Sequence, residues 1–314
     1  MSAVRRRLIA HWMRIRTLAN LYLRRRPPVV IYQMGKVGSR SLYDSLRSTP
    51  GVFVTHVHRM HPGNIAAVAA AHQARRRRPE KEVVGPLLHA HAVERGRPLQ
   101  VITLVRDPVA RNLSAFFQNL AIFTDVSVTP MTGPEGKVTG RVAELGELFL
   151  TAYPHDVPLT WFDDELGAEL GVDVFATPFP QAAGYCEITG SRHRVLVLKL
   201  EAGDEIIARA VKEFLDLPQF VLHRTNVGVE KPYAGLYDDV REKIRLPGEY
   251  LERMYSSRLA RHFYSAAERA GFRRRWQGGE PGAGGAPTGG APVGGGSDRP
   301  ETDAGGSREG DREE

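Results

Sequence analysis

The sequence predicts an α/β fold with three layers and a central parallel sheet. Short apolar runs rich in β-branched residues occur at residues 29–32, 99–105 and 194–201, and each run is followed by a segment whose apolar residues have helical spacing. Alternating strands and helices of this kind are typical of a parallel sheet covered by helices on both faces. The chain has 314 residues, which is enough to form one α/β domain of about 250 residues with a large buried core.

Composition indicates the compartment. The chain has one cysteine, Cys186, so an internal disulfide is excluded and a reducing environment is expected. No apolar run approaches the roughly 20 residues that a membrane-spanning helix needs. The N-terminus carries arginines where a cleavable signal has a longer apolar core. We therefore expect a cytoplasmic protein, with peripheral attachment to a membrane left open.

The net charge of +7 is distributed unevenly and divides the chain into three parts. Residues 1–26 carry eight arginines and no acid, whereas residues 277–314 carry eight acids and three arginines in a Gly/Pro-rich sequence. We expect the latter segment to be a disordered acidic tail. Residues 27–276 form the predicted domain. Its mildly basic balance favours an enzyme with an anionic cofactor over a nucleic-acid binder.

The first segment has the pattern of a basic amphipathic helix. Leu8, Trp12, Ile15, Leu18 and Tyr22 follow one another at helical spacing, with arginines at both ends. Such a helix can lie on an anionic membrane surface. The alternative is an ordinary leading helix that packs on the domain and has a solvated basic face.

The first apolar run leads into a glycine-rich turn and then a helix. Backbone N–H groups at a helix start lack partners and the helix dipole is positive there, so a phosphate is stabilised at that position. Glycines let the backbone approach the anion, lysine adds charge, and hydroxyls donate hydrogen bonds. The candidate phosphate-binding residues are Gly35, Lys36, Val37, Gly38, Ser39, Arg40 and Ser41.

This loop differs from the Walker A motif of ATPases. Walker A has four residues between its first glycine and the Gly-Lys pair, whereas Lys36 follows Gly35 directly. The order Lys-x-Gly-Ser-Arg-Ser resembles the 5′-phosphosulfate loop of sulfotransferases that use the donor PAPS (3′-phosphoadenosine 5′-phosphosulfate). The resemblance implies a P-loop-like sulfotransferase fold.

The next elements follow from the same patterns. Residues 51–55 read as a second strand, and residues 62–73 as an alanine-rich helix. Residues 83–91 form a continuous apolar run that predicts a strand with His89 and His91 at its C-terminal end.

The strand at residues 99–105 runs into Arg106-Asp107-Pro108, which predicts a strand-to-helix junction. Asp107 suits an N-cap and Pro108 the first helical position, so a helix is expected over residues 108–121. The run Arg-Asp-Pro-Val-Ala-Arg-Asn-Leu-Ser resembles the 3′-phosphate motif of sulfotransferases. That resemblance implies that Arg106 and Ser114 hold the 3′-phosphate of PAPS, a role that suits a charged donor fork and a hydroxyl.

Histidines are the expected source of the catalytic base, because their unperturbed pKa lies near neutrality. The pair His89 and His91 resembles the His-Gly-His segment of uronosyl 2-O-sulfotransferases, which implies that His89 is the base and His91 supports the acceptor. Two residues apart on a strand, both would face one cleft. The rivals are His56 and His58, after the second strand. Without a suitably spaced third ligand, no metal site is expected.

The second half of the chain continues the helical pattern. Helices are expected at about residues 138–152, 155–170 and 204–215, with two or three more between residues 235 and 269. Residues 159–166, 171–175 and 178–180 resemble bacterial capsular polysaccharide synthesis proteins. A loop at residues 223–233 lies where sulfotransferases often have a lid, which makes Arg224 and Lys231 further candidates for binding PAPS.

Together the patterns predict a PAPS-dependent sulfotransferase that transfers a sulfuryl group to a hydroxyl of a polysaccharide or glycolipid and releases PAP (adenosine 3′,5′-bisphosphate). Lys36 is expected to neutralise charge on the departing phosphate. The alternatives are a P-loop kinase or nucleotide-binding protein, and a non-catalytic module that binds a nucleotide or a membrane.

Overall fold

A computed structural model of the protein describes residues 3–23, 26–74, 82–123, 135–224 and 234–278, all within one compact unit that spans residues 1–284. For residues 3–7, 72–74, 121, 135–140 and 234 it describes the backbone alone. Lys231 and the segment 279–314 lie outside the described residues.

A five-stranded, mostly parallel sheet is at the centre of the fold. The strands are β1 (Val29–Tyr32), β2 (Val54–Val57), β3 (Gln100–Val105), β4 (Tyr185–Thr189) and β5 (Arg194–Lys199). Their order is β2-β1-β3-β5-β4, with β4 antiparallel to β5 and the other pairs parallel. The expected central sheet is therefore confirmed, and the antiparallel edge strand β4 is an addition to it.

Helices flank this sheet. They are α1 (Ala3–Tyr22), α2 (Ser39–Ser48), α3 (Pro62–Ala74), α4 (Val84–Leu88), α5 (Pro108–Gln118), α6 (Leu120–Phe123), α7 (Glu135–Ala152), α8 (Val157–Trp161), α9 (Ala168–Leu170), α10 (Asp204–Leu215), α11 (Ala234–Lys243), α12 (Gly248–Tyr255), α13 (Arg258–Phe263) and α14 (Ala266–Gln277). Two π-helical segments, His89–Val93 and Phe162–Gly167, continue α4 and α8. Within the described ranges, no helix combines the length and the apolar character needed to cross a membrane.

The prediction of a strand at residues 83–91 is wrong, because this segment is α4 and the π-helical turn that follows it. Its apolar run is short, and a run of this length fits a buried helix as well as a strand. Pro86 lies in the first turn of α4, where proline is tolerated. Gly85 packs closely against the segment that follows β2. A Cβ on Gly85 would lie 2.1 Å from the carbonyl oxygen of Arg59.

The buried residues form two clusters. One contains the sheet and the helices that cover it, and the other lies between α5, α7, α11, α12 and α14. Asp107 stands where the clusters meet. As the N-cap of α5 it accepts from Val109 N–H at 3.0 Å, and it also accepts from Tyr255 Oη at 2.9 Å and Trp276 Nε1 at 3.3 Å.

The sheet order creates a crevice at the carboxyl ends of β1 and β3. The chain passes from β1 to β2 on one side and then crosses to β3 on the other side of β1. In open α/β sheets ligands bind at such a switch point. The two predicted phosphate motifs follow β1 and β3, so the fold brings them to the same crevice.

Candidate functional site

The loop between β1 and α2 has the backbone conformation of an anion-binding turn. Lys36 and Gly38 have positive φ angles of 76° and 79°. A left-handed conformation is unfavourable for lysine, and strain of this kind is concentrated at functional sites. α2 begins directly after Gly38 and has no acidic residue in its first turn. The loop therefore presents backbone N–H groups and the positive end of the helix dipole toward the crevice.

Two arginines from the β3–α5 junction hold the carbonyl side of this loop. Arg106 Nη1 donates to Lys36 O at 3.0 Å, and Arg111 Nε donates to Gly35 O at 3.0 Å. With their carbonyls occupied by arginines, the peptide groups of the loop are fixed in orientation. The two predicted phosphate motifs are thus in direct contact.

Arg111 adds a buried positive charge to the site, a role that the sequence analysis missed. Its side chain also donates from Nη1 to Asn112 Oδ1 and to Tyr153 Oη, both at 2.9 Å. Burial lowers the pKa of the Arg111 guanidinium, and the charges of Arg59 and Arg106 act in the same direction. The hydrogen-bond partners of Arg111 are neutral, so this concentration of positive charge favours a bound anion.

The other predicted phosphate ligands differ in how the structure places them. Lys36 Nζ donates to Gln118 Oε1 at 2.5 Å, which directs its side chain toward the C-terminal end of α5. Val37 is buried, and the Ser39 hydroxyl is drawn into a polar network below the loop. Ser41 is partly exposed on α2, as is Ser114 on α5.

Two predicted cofactor ligands form ion pairs instead. Arg40 pairs with Asp44 at 2.7 Å, and its side chain is 64% exposed. Arg224 makes a two-pronged contact with Asp204 at the start of α10. Because exposed ion pairs contribute little stability, both arginines can exchange their carboxylate for another anion.

A polar network connects the loop with two histidines that follow β2. Gln33 is fully buried, and its Nε2 donates to Ser39 Oγ at 2.8 Å and approaches His56 Nε2 at 3.0 Å. His58 Nδ1 lies 3.0 Å from the backbone oxygen of Gln33. His58 Cε1 lies 4.0 Å from where a Cβ on Gly35 would stand. Both histidines therefore adjoin the loop.

The two histidines differ in their surroundings. Burial lowers the pKa of His56 to about 3, with contributions from His58 and Arg40, so His56 is neutral near pH 7 and a weak base. His58 Nδ1 lies 3.0 Å from Gln33 O, an acceptor, and 3.2 Å from Gln33 Nε2, a donor, so these contacts allow either tautomer of His58. In the tautomer with the proton on Nδ1, Nε2 is the basic nitrogen.

The argument that placed His89 and His91 in one cleft fails because they lie on a helix. His89 Nδ1 contacts Glu169 Oε1 at 2.7 Å, whereas His91 Nδ1 contacts Tyr22 Oη of α1 at 2.9 Å. Residues two apart on a helix point in different directions. The contacts of these two histidines are with α9 and α1, and not with the loop after β1.

Two side chains of the segment from α8 onward hold the backbone that carries His58. Trp161 Nε1 donates to His58 O at 3.1 Å. Glu165 is 2% exposed, and its Oε2 accepts from Met60 N–H at 3.0 Å and from the hydroxyl of Tyr32. The aromatic pair Trp161 and Phe162 is buried, and so is Glu165, whereas its neighbours Asp163 and Asp164 are exposed.

Two further observations bear on the site. Within the described ranges, no group of three or more His, Cys, Asp or Glu side chains has a metal-binding arrangement. A shallow surface recess lies at the opposite, amino ends of the strands, with Arg26, Pro28 and Phe53 among its lining residues. The candidate site lies instead at the carboxyl ends of β1 and β3, because Lys36, Arg106 and Arg111 come together there.

Comparison with known proteins gives one match. The model of a family described as "Putative capsular polysaccharide synthesis protein" matches residues 141–265. This agrees with the resemblance of residues 159–180, and the matched segment includes Trp161 and Glu165. The match begins after the loop and after Arg106. No curated protein and no solved structure matches the chain.

Proposed function

We propose that the protein is a sulfotransferase that transfers the sulfuryl group of PAPS to a hydroxyl of a carbohydrate acceptor. The single observation that carries this proposal is the hydrogen bond from Arg106 to the backbone oxygen of Lys36. It joins a 5′-phosphosulfate-like loop with a 3′-phosphate-like motif at one crevice. A donor that carries phosphates on both the 3′ and the 5′ positions fits such a pair of cationic centres.

The residues present suit this donor. The loop N–H groups, Lys36 and the start of α2 would hold the 5′-phosphosulfate, and Arg106 with Ser114 would hold the 3′-phosphate. When bound, PAPS supplies an activated sulfuryl group, whose bond to the phosphate oxygen breaks as the bond to the acceptor oxygen forms. The Lys36 ammonium would leave Gln118 and neutralise the negative charge that develops on the leaving phosphate.

His58 is the base in this proposal. Its Nε2 would accept the proton of the acceptor hydroxyl as that oxygen attacks sulfur, in the tautomer whose other proton lies on Nδ1 and is donated to Gln33 O. Trp161 and Glu165 are positioning residues, because they hold the backbone around His58 and do not reach the loop. His58 replaces His89 and His91, the histidines predicted from the sequence, because His58 adjoins the loop.

The acceptor class rests on the family match. The matched family is described by capsular polysaccharide synthesis, which favours a sugar hydroxyl of a polysaccharide or glycolipid. The matched segment contains Trp161 and Glu165, which hold the backbone around His58, so in this proposal the part of the chain that resembles this family would also shape the acceptor side of the site.

Transfer of labelled sulfate from PAPS to a panel of polysaccharides and glycolipids tests the proposal. We expect the unaltered protein to transfer label, and Lys36→Met and His58→Asn to lose at least about a hundredfold in kcat. Arg47→Met, an exposed arginine on α2, is the matched control. Full turnover in Lys36→Met, or a melting temperature raised by Mg-ATP and not by PAP, would overturn the proposal.

The choice of base has its own test. His58→Asn should lose turnover while PAP still raises the melting temperature, whereas His89→Asn and His91→Asn should each keep turnover within about threefold of the unaltered protein. If His58→Asn kept its turnover and His89→Asn or His91→Asn lost it, the base would be a histidine of the π-helical segment His89–Val93.

A further inference from the structure

The helix α1 has two sides of opposite character. Thr17, Asn20 and Leu21 are buried, and Met13 packs on the sheet core. The other side exposes Leu8, Trp12 and Ile15, with 64%, 55% and 57% of their surface in solvent. These three residues follow one another at spacings of four and three, so they form one stripe, which we call the exposed α1 face.

The exposed α1 face stands out from the rest of the surface. Where side chains are described, the large exposed hydrophobic residues are Leu8, Ile9, Trp12, Ile15, Tyr22, Leu23 and Val221. Six of these seven lie in residues 8–23. Large apolar side chains gathered on one helix indicate an interaction surface, whereas scattered ones do not.

The buried side of α1 is firmly attached to the domain. Arg97 Nη1 donates to Leu21 O at 2.9 Å, and its guanidinium lies 4.0 Å from the centre of the Tyr22 ring. Arg95 and His91 also contact Tyr22 Oη, at 3.0 and 2.9 Å. The opposite stripe is therefore presented outward by a docked helix.

The charge around the stripe identifies its partner. The helix contains five arginines and no acidic residue. Arg16 lies 5.3 Å from the centre of the Trp12 ring, and Arg14 of the same helix is exposed. An apolar stripe with tryptophan, bordered by arginines, combines the two interactions by which interfacial helices bind anionic lipid surfaces.

We infer that the exposed α1 face binds the surface of an anionic lipid bilayer. A second copy of this chain fits less well, because a symmetric contact would bring two arginine-rich helices together. The acidic residues 277–314 match the charge but contain no large apolar side chain except Val293. A segment of this composition offers little apolar surface for a tryptophan.

The intrinsic tryptophans provide a direct test. Of the three tryptophans in the chain, Trp161 and Trp276 are buried and Trp12 is exposed. Vesicles with about 30% phosphatidylglycerol in phosphatidylcholine should shift the emission of the full-length protein to shorter wavelength, and Trp12→Phe should remove this shift. Pure phosphatidylcholine vesicles should produce a much smaller shift.

Co-sedimentation with the same vesicles measures the affinity. We expect Trp12→Ser/Ile15→Ser to bind at least about tenfold more weakly, and Val221→Ser to bind as the unaltered protein does. Because all three positions are exposed, the unfolding midpoints should agree. Absence of binding to anionic vesicles overturns the inference. So does unchanged binding by the double variant, or a concentration-dependent dimer that the double variant abolishes.

Discussion

The guanidinium of Arg106 donates a hydrogen bond of 3.0 Å to the backbone oxygen of Lys36. These residues are 70 positions apart in the chain and follow different strands. Their contact joins the segments that follow β1 and β3 at the switch point of the sheet.

The strained conformation at Lys36 should have a cost in stability. We expect the free energy of unfolding of Lys36→Gly to be about 1 kcal/mol higher than that of Lys36→Met. Both variants lose the ammonium, but only glycine adopts the positive φ without strain. Urea titration of both variants measures this difference. Both variants should be inactive. Equal free energies of unfolding would show that the conformation at Lys36 is not strained.

Arg106 should determine recognition of the 3′-phosphate. For the unaltered protein we expect PAP to bind at least about tenfold more tightly than AMP, since a charge-assisted contact to a phosphate contributes about 1.5–3 kcal/mol. Arg106→Met should bind both nucleotides equally well. Calorimetric titration measures the four affinities, with Arg47→Met as the control that keeps the preference. A preserved preference in Arg106→Met would place the 3′-phosphate elsewhere.

His56 should make the fold sensitive to acid. Its pKa is about 6.5 in the unfolded chain and about 3 in the folded protein. Between these values the unfolded chain binds a proton that the folded protein does not, so stability is lost as the pH falls. Between pH 7 and pH 5, the free energy of unfolding should fall by about 1–2 kcal/mol less in His56→Gln than in the unaltered protein.

The measurement for His56 is the free energy of unfolding in urea at both pH values. His11→Gln, at an exposed histidine of α1, is the matched control and should behave like the unaltered protein. Parallel curves for His56→Gln and the unaltered protein would contradict the prediction.

Gly85 should be intolerant of any side chain. Its Cβ would stand 2.1 Å from Arg59 O, so Gly85→Ala must displace the backbone next to His58. We expect a loss of about 1–3 kcal/mol in stability, together with lower sulfuryl transfer. Gly248→Ala is the control, because nothing lies within 4 Å of its Cβ and it begins an exposed helical turn. Similar melting temperatures for the two variants would refute the prediction.

Local patterns predicted part of this architecture. The strand, loop and helix around Lys36 were predicted because the apolar run, the glycines and the helical spacing all lie within fourteen residues. The junction at Arg106 was predicted for the same reason, since Asp107 and Pro108 encode the start of α5. Both predictions could therefore be made without knowledge of tertiary contacts.

The errors arose where tertiary contacts decide the structure. The run before His89 is equally compatible with helix and strand, and the close approach of Gly85 to Arg59 is invisible in the sequence. Strand β4 was missed because it is half-exposed and stabilised by pairing with β5. Arg111 gave one signal, a charged residue within a helix otherwise buried almost throughout, but its contact with Gly35 depends on the sheet order.

The hydrogen bond from Trp276 to Asp107 sets a lower limit on the length of a stable domain. Asp107 is the neighbour of Arg106, and Trp276, near the end of the last helix, is 1% exposed. A chain truncated before Trp276 would leave the carboxylate without one of its donors and open the buried cluster between α5, α7, α11, α12 and α14. Any shortened form of this domain expressed for crystallography or engineering must therefore extend through α14.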